Sequence, residues 1–94
     1  MKRKLILFFT LLFTGVGILM AQTRVRGIVV DESGEPVIGA TILIKGTYQG
    51  TVTDIDGNFT LTAPVGGTLV VSYVGYITEE VAVSSKVRVV LTSD

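Results

Sequence analysis

The chain has 94 residues, 48% of them hydrophobic, and it contains neither His nor Cys. Without imidazole there is no zinc site of the His and Glu kind and no Ser-His-Asp relay, and without thiols there is no thiolate chemistry and no disulfide. We therefore expect no cofactor and no metal centre. The composition indicates a binding or assembly module whose stability comes from apolar packing alone.

The first residues have the pattern of an export signal. A positive start at residues 2–4 precedes an uncharged apolar run at residues 5–20, and Ala21 supplies the small residue that signal peptidase needs. We predict a signal peptide at residues 1–21 and one exported domain at residues 22–94. The alternative is a membrane-spanning helix, but the run is shorter than the roughly 20 apolar residues that a span requires.

Removal of the signal peptide changes the charge of the chain. The whole sequence is balanced, with eight basic and eight acidic side chains, whereas residues 22–94 carry five basic and eight acidic ones, a net charge of −3. This composition predicts no basic face, so a nucleic-acid partner is not expected.

The exported part alternates apolar and polar residues between short turns, and no stretch has helical periodicity. Asp31 is placed to close an Asx-type turn in which Gly34 takes a positive φ. Gly46 ends the second strand, the Asp-Ile-Asp-Gly sequence at 54–57 predicts a hairpin turn, and Gly75 permits a sharp bend. Seven strands are predicted, at residues 24–31, 40–45, 51–53, 58–62, 68–73, 77–83 and 87–91.

These strands favour a sandwich of two small sheets. With no helix and only short connections, most of the strands must be antiparallel. The sequence thus predicts an all-β, seven-stranded antiparallel β-sandwich, with Phe59 as the largest core side chain. The predicted inward-facing residues are Val25, Val29, Ile42, Ile44, Phe59, Leu61, Leu69, Val71, Val81, Val83, Val89 and Leu91.

Polar residues at every second position, Asp54, Asp56 and Asn58, have two interpretations. They satisfy backbone N–H groups in a turn, or they begin a calcium loop. The calcium interpretation lacks the required Gly, because Phe59 occupies that position, and it lacks a Glu at the twelfth position, which is Val65. We favour the turn, and weak cation binding remains open.

Two carboxylate pairs, Asp54 with Asp56 and Glu79 with Glu80, are the remaining candidates for catalysis. Paired acids serve glycoside hydrolysis, but this chain is too short to build a cleft around either pair. Glu79 and Glu80 are expected to be solvated and to discourage unwanted edge pairing. No catalytic residue is therefore assigned.

Three aromatic residues, Tyr48, Tyr73 and Tyr76, are the other candidates for a ligand surface. Tyr rings near loops can stack on sugars, but a Tyr at a strand end more often packs its ring and leaves its hydroxyl in water. We favour the second interpretation and assign no ligand-binding residue.

Six segments together resemble a known family in their order and spacing. The combination resembles the carboxypeptidase-regulatory-like domain, an Ig-like or prealbumin-like β-sandwich, and more closely the copy that begins SusC/RagA-type TonB-linked outer-membrane receptors. The segments are VRGIVVD (25–31), GEPVIGATI (34–42), KGT (45–47), GTVTD (50–54), DGNF (56–59) and VSYVGY (71–76).

The resemblance implies a non-catalytic accessory domain on the periplasmic side of the outer membrane. In such receptors a TonB-box segment, a plug and a transmembrane barrel follow the domain, TonB supplies energy, and a SusD-like surface lipoprotein captures glycan or peptide. Residues 92–94 contain none of these parts, so we expect a fragment of a longer receptor. The alternative is a stand-alone exported β-sandwich module that binds carbohydrate or protein.

Overall fold

Seven strands in two sheets make up the part of the chain that the computed structural model describes, residues 21–94. The first sheet has three strands in the order β4-β1-β7, and the second has four in the order β3-β2-β5-β6. This confirms the predicted all-β sandwich, whereas the predicted signal peptide lies outside the described residues except for Ala21. The strands are β1 (Gln22–Asp31), β2 (Thr41–Ile44), β3 (Gly50–Val52), β4 (Asn58–Pro64), β5 (Thr68–Ser72), β6 (Glu79–Ala82) and β7 (Lys86–Leu91).

One pair of strands departs from the antiparallel pattern. β1 runs antiparallel to β4, as the strands of the second sheet do to one another, but it is parallel to β7, with Val29 beside Val89. A parallel pair needs a long connection. Here the connection is the segment that contains β2 to β6, and β7 then pairs with the first strand, β1. Among residues 21–94 no helix is long and apolar enough to cross a membrane.

Side chains from both sheets form one apolar core. Ile42, Leu69 and Val25 are completely buried, and Phe59 is 4% exposed. Most of the predicted inward positions are confirmed, but Leu61, Val81 and Val83 are only partly buried. Leu61 and Val81 lie on β4 and β6, which are edge strands of their sheets, and Val83 lies in the connection after β6. The buried apolar residues that the prediction omitted are Val30, Val37, Ala40 and Ala63.

Val30 is buried although its strand position points it away from the core. The chain after β1 turns back, so that Val30 forms an isolated antiparallel bridge with Pro36. One residue later, the Val37 N–H donates to the Val29 carbonyl at 2.9 Å. The alternation of apolar and polar residues within one strand cannot predict this burial, because the segment that packs over Val30 is the loop after the strand.

The turn after β1 has the predicted geometry. The Asp31 Oδ1 atom accepts hydrogen bonds from the backbone N–H groups of Ser33 at 2.9 Å and Glu35 at 3.0 Å. Gly34 has a φ of 86°, which side-chain-bearing residues rarely adopt. The Asx-type turn is therefore confirmed.

The turn at residues 54–57 has the predicted hydrogen bonds, but it does not join the two strands of a hairpin. Asp54 Oδ1 accepts from the N–H groups of Asp56 and Asn58, both at 2.9 Å, and the Gly57 N–H donates to the Asp54 carbonyl at 3.0 Å. However, β3 and β4 belong to different sheets. The hairpin prediction is wrong, because the same local hydrogen bonds here carry the chain from one sheet to the other.

A buried hydroxyl fixes the chain at this crossing. Thr53 is 4% exposed, its Oγ1 donates to the Val37 carbonyl at 2.6 Å, and the same atom accepts from the Ala40 N–H at 2.8 Å. Because both bonds are withdrawn from water, Thr53 joins the end of β3 to the segment that precedes β2.

Candidate functional site

The three Tyr residues do not form one surface. Tyr73 and Tyr76 are adjacent, with ring centroids 6.1 Å apart at an interplanar angle of 42°, and Tyr76 packs partly against the core. Tyr48 is fully exposed in the turn after β2, whereas Tyr73 follows Ser72, which pairs with Thr41 at the start of β2. The length of β2, about 10 Å, separates them. The prediction of a packed ring agrees with Tyr76, which packs partly against the core, but not with Tyr48, which is fully exposed.

The two carboxylate pairs have different surroundings. Asp54 uses one carboxylate oxygen for the turn, and Asp56 is exposed beside it. Glu79 and Glu80 are consecutive strand residues, so their side chains point to opposite faces of the second sheet. Glu80 lies 2.8 Å from Lys45 Nζ in an exposed salt bridge, as expected for a solvated residue. Across residues 21–94, no group of three His, Cys, Asp or Glu could hold a metal ion.

Both Glu residues lie on an edge strand, as predicted. β6 ends the four-stranded sheet, and β7 ends the three-stranded sheet on the same side of the sandwich, where residues 83–85 connect them. Charged side chains on an edge discourage pairing with other chains. The edge of β6 is therefore protected by charge.

The edge of β7 is open over a short stretch. The Arg26 N–H donates to the Ser85 carbonyl at 3.0 Å. In a parallel pair, every second residue of a strand forms its backbone hydrogen bonds with the same neighbouring strand, so Ser85 and every second residue after it bond to β1. Lys86, Arg88 and Val90 therefore direct their backbone groups away from β1. The Lys86 carbonyl accepts from Ser84 Oγ at 2.7 Å, and just beyond β7 the Ile77 N–H donates to the Thr92 carbonyl at 2.9 Å. The open part of this edge is therefore the backbone of Arg88 and Val90.

A cluster of cations covers the outer side of the three-stranded sheet. Val25 and Val29 in β1 and Val89 in β7 are buried, so the alternate residues of both strands face outward. We call the resulting surface the basic face. It is defined by Arg24, Arg26, Lys86 and Arg88, all of which are exposed.

The basic face corrects the expectation from composition. It holds four of the five basic side chains of residues 22–94, although that region has an excess of acids. Arg26 lies beside Lys86, and Ile28 beside Arg88, in the parallel register. Sequence reasoning missed this surface because the two halves are 60 residues apart, and only the β1–β7 pairing brings them together. The alternation of basic and apolar residues in each strand was the available signal.

Comparisons with known proteins agree with this fold. The model of the CarboxypepD_reg-like domain family matches residues 25–93. The chain is 43% identical over all its 94 residues to the TonB-dependent receptor SusC of Bacteroides thetaiotaomicron, and 44% identical over 75 residues, 79% of the chain, to the TonB-dependent receptor P39 of Formosa agariphila. It spans only 9% and 7% of the length of these two relatives.

A solved structure shares the architecture. It is a C-terminal interface mutant of a type II cohesin-X-dockerin complex from Acetivibrio cellulolyticus, with a TM-score of 0.56 and 27% sequence identity. The match covers 74% of this chain and 52% of that one. Fold, matched residues and relatives lead to one conclusion: the chain belongs to the CarboxypepD_reg-like domain family.

Proposed function

We propose that residues 22–94 are the non-catalytic N-terminal accessory domain of a SusC/RagA-type TonB-dependent outer-membrane receptor that takes up glycan or peptide. The observation that carries the proposal is the 43% identity with the TonB-dependent receptor SusC along the whole chain. The similarity to a second TonB-dependent receptor supports it.

The proposal also places the domain. Residues 1–21 act as a signal peptide, and the domain lies on the periplasmic side of the outer membrane. Its partners, through the whole receptor, are the TonB system and a SusD-like lipoprotein. Transport itself belongs to parts of the receptor other than these residues.

Within the receptor, the domain acts by contact rather than by chemistry. Its core is filled by apolar side chains, and its acidic candidates are engaged in a turn or lie on opposite faces of a strand. An open strand edge can accept an extended segment through main-chain hydrogen bonds. We propose that β7 docks a periplasmic segment of the receptor or of an envelope protein in this way.

The size and location of the native product test the receptor assignment. An antibody against residues 22–94 is used to blot fractionated cells. A large band in the outer-membrane fraction is expected. A small soluble periplasmic band would contradict the proposal and identify a stand-alone binding module.

A proline substitution tests the docking role within the full receptor. Val90→Pro removes an N–H that points to the open edge, and Val90→Ala is the matched control that keeps this N–H. We expect Val90→Pro alone to reduce co-purification of the receptor with the periplasmic domain of TonB. Equal recovery from two folded variants would refute docking at β7, and deletion of residues 22–94 without loss of assembly or uptake would leave only a spacer role.

A further inference from the structure

The basic face holds a concentration of like charge that the described part of the chain does not neutralise. Within residues 21–94, the salt bridge that the structure shows joins Lys45 to Glu80 on the other sheet. The acidic side chains of this region lie at the end of β1, in turns, on β6 or at the last residue, namely Asp31, Glu32, Glu35, Asp54, Asp56, Glu79, Glu80 and Asp94.

This arrangement is unfavourable for the domain by itself. Neighbouring strands are about 4.8 Å apart, and like charges beside each other across strands repel. Arg26 and Lys86 are such neighbours. An anionic partner would turn this repulsion into attraction, because a carboxylate placed between the two cations is attracted by both.

The spacing of the cations fits an extended polypeptide. Arg24 and Arg26 in β1, and Lys86 and Arg88 in β7, are two residues apart, which corresponds to about 7 Å along a strand. Acidic side chains at alternate positions of an extended segment have the same repeat. The open backbone groups of Arg88 and Val90 at the edge of β7 lie next to this row of charges.

The acidic residues at the end of β1 favour an extended segment over a membrane as the partner of the basic face. β1 ends in the acidic turn that begins at Asp31, and the Asp54–Gly57 turn lies against it, since a Cβ on Gly57 would approach Pro36 Cβ at 2.9 Å. An anionic bilayer laid on this sheet would meet these carboxylates as well as the cations. An extended segment can follow β7 and avoid them.

We propose that the basic face binds an extended acidic segment of a partner polypeptide, which lies along the open edge of β7 with its carboxylates facing Lys86 and Arg88, while Arg26 adds its charge from β1. The proposal rests on the docking role proposed above and deepens it by naming the surface and the chemistry of the partner.

A binding experiment with residues 22–94, which contain both sheets and the apolar core between them, tests this. The probe is a fluorescein-labelled peptide of alternating Glu and Thr, ten residues long so that it extends past both ends of the six-residue strand β7. Its fluorescence anisotropy is followed at low salt, and a peptide of alternating Gln and Thr serves as the uncharged control. Thermal unfolding of every variant provides the folding check.

Variants that each remove one positive charge distinguish binding at the basic face from attraction by the net charge of the domain. Arg26→Gln, Lys86→Gln and Arg88→Gln each remove a cation of the basic face, and Lys45→Gln removes the one basic side chain of residues 22–94 that lies outside this face, on the other sheet. We expect each of the first three to weaken binding about two- to fivefold, as for an exposed ion pair, and Lys45→Gln to have little effect. Raising the salt from about 0.1 M to about 1 M should abolish binding.

Two results would overturn the proposal. If Lys45→Gln weakens binding as much as Arg88→Gln does, the peptide senses only overall charge. If the peptide does not bind but phosphatidylglycerol vesicles sediment the domain, the face is a membrane-binding surface instead. Either result leaves the receptor assignment intact, because the blot of the native product measures that independently.

Discussion

Gly27 in β1 lies directly under the aromatic ring of Phe59 in β4. The two residues are partners in the antiparallel register, and a Cβ on Gly27 would overlap the Cζ and Cε1 atoms of the ring. Space, and not backbone conformation, requires glycine here, because Gly27 is not among the positive-φ residues. The missing side chain of one strand makes room for the largest core side chain of its neighbour.

We expect Gly27→Ala to destabilise the domain by roughly 1 to 3 kcal/mol, as for an overpacked core. The measurement is urea unfolding of residues 22–94. The partner variant Phe59→Leu, which reduces the ring to a smaller side chain, should relieve part of this cost, so the double variant should be more stable than the sum of the single effects predicts. Strictly additive effects would show that the two positions do not compete for space.

Phe59 itself should be indispensable for stability. It is 4% exposed, and truncation of a core aromatic to Ala costs roughly 3 to 5 kcal/mol. A domain has only about 5 to 15 kcal/mol of stability in total, so Phe59→Ala should unfold much of the population. Val65→Ala, at a position 64% exposed, is the control that should change the unfolding midpoint little.

The Thr53 hydroxyl should contribute more than the methyl group that replaces it. Thr53→Val keeps the shape but leaves the Val37 carbonyl and the Ala40 N–H without this partner. A buried group left unsatisfied costs roughly 1 to 3 kcal/mol, which thermal or urea unfolding will detect. Thr60→Val makes the same chemical change on the exposed side of β4 and should shift stability by less than about 0.5 kcal/mol. Equal effects would mean that the buried hydrogen bonds are not important for stability.

Two glycines allow the stability cost of a strained backbone conformation to be measured apart from the cost of steric crowding. Gly57 and Gly66 both have positive φ, 77° and 84°, but a Cβ on Gly57 would lie 2.6 Å from the Val29 carbonyl oxygen, whereas a Cβ on Gly66 would meet nothing within 4 Å. We expect Gly66→Ala to cost roughly 1 to 2 kcal/mol through conformation alone, and Gly57→Ala to cost clearly more. Equal unfolding midpoints for the two variants would contradict the crowding at Gly57.

The carboxyl group of Asp31 should make one part of the stability dependent on acid pH. The Ser33 hydroxyl, which donates to Asp31 Oδ1 at 2.6 Å, lowers the pKa of Asp31 from its ordinary value, and the backbone N–H groups of Glu35 and Ser33 act in the same direction. Because the folded state favours the carboxylate, this contribution is complete above the ordinary pKa and is lost as the pH falls through the lowered one.

Carbon-13 NMR titration of the Asp31 carboxyl group measures that pKa directly. Ser33→Ala should raise the pKa towards its ordinary value, and Asp31→Asn should remove this part of the acid dependence of unfolding. An unchanged pKa in Ser33→Ala would show that the hydroxyl contact is not the main cause.

The local turns and the inner face of each strand could be predicted because short-range chemistry decides them. Asp31 with Gly34, and Asp54 with Gly57, have turn geometry wherever the chain goes afterwards. The burial of Val30 and the exposure of Tyr48 could not be predicted in this way, since they depend on whether another segment covers the position.

The sequence by itself determined seven strands, their alternation, and the absence of imidazole and thiol groups, because side-chain period and composition need no partner. Only the tertiary structure decided which strands are neighbours. It turned an expected hairpin at residues 54–57 into a crossing between sheets, and it set β1 parallel to β7. Since strand pairing joins residues far apart in the chain, the basic face exists only in the folded domain, where Arg26 and Lys86 become neighbours.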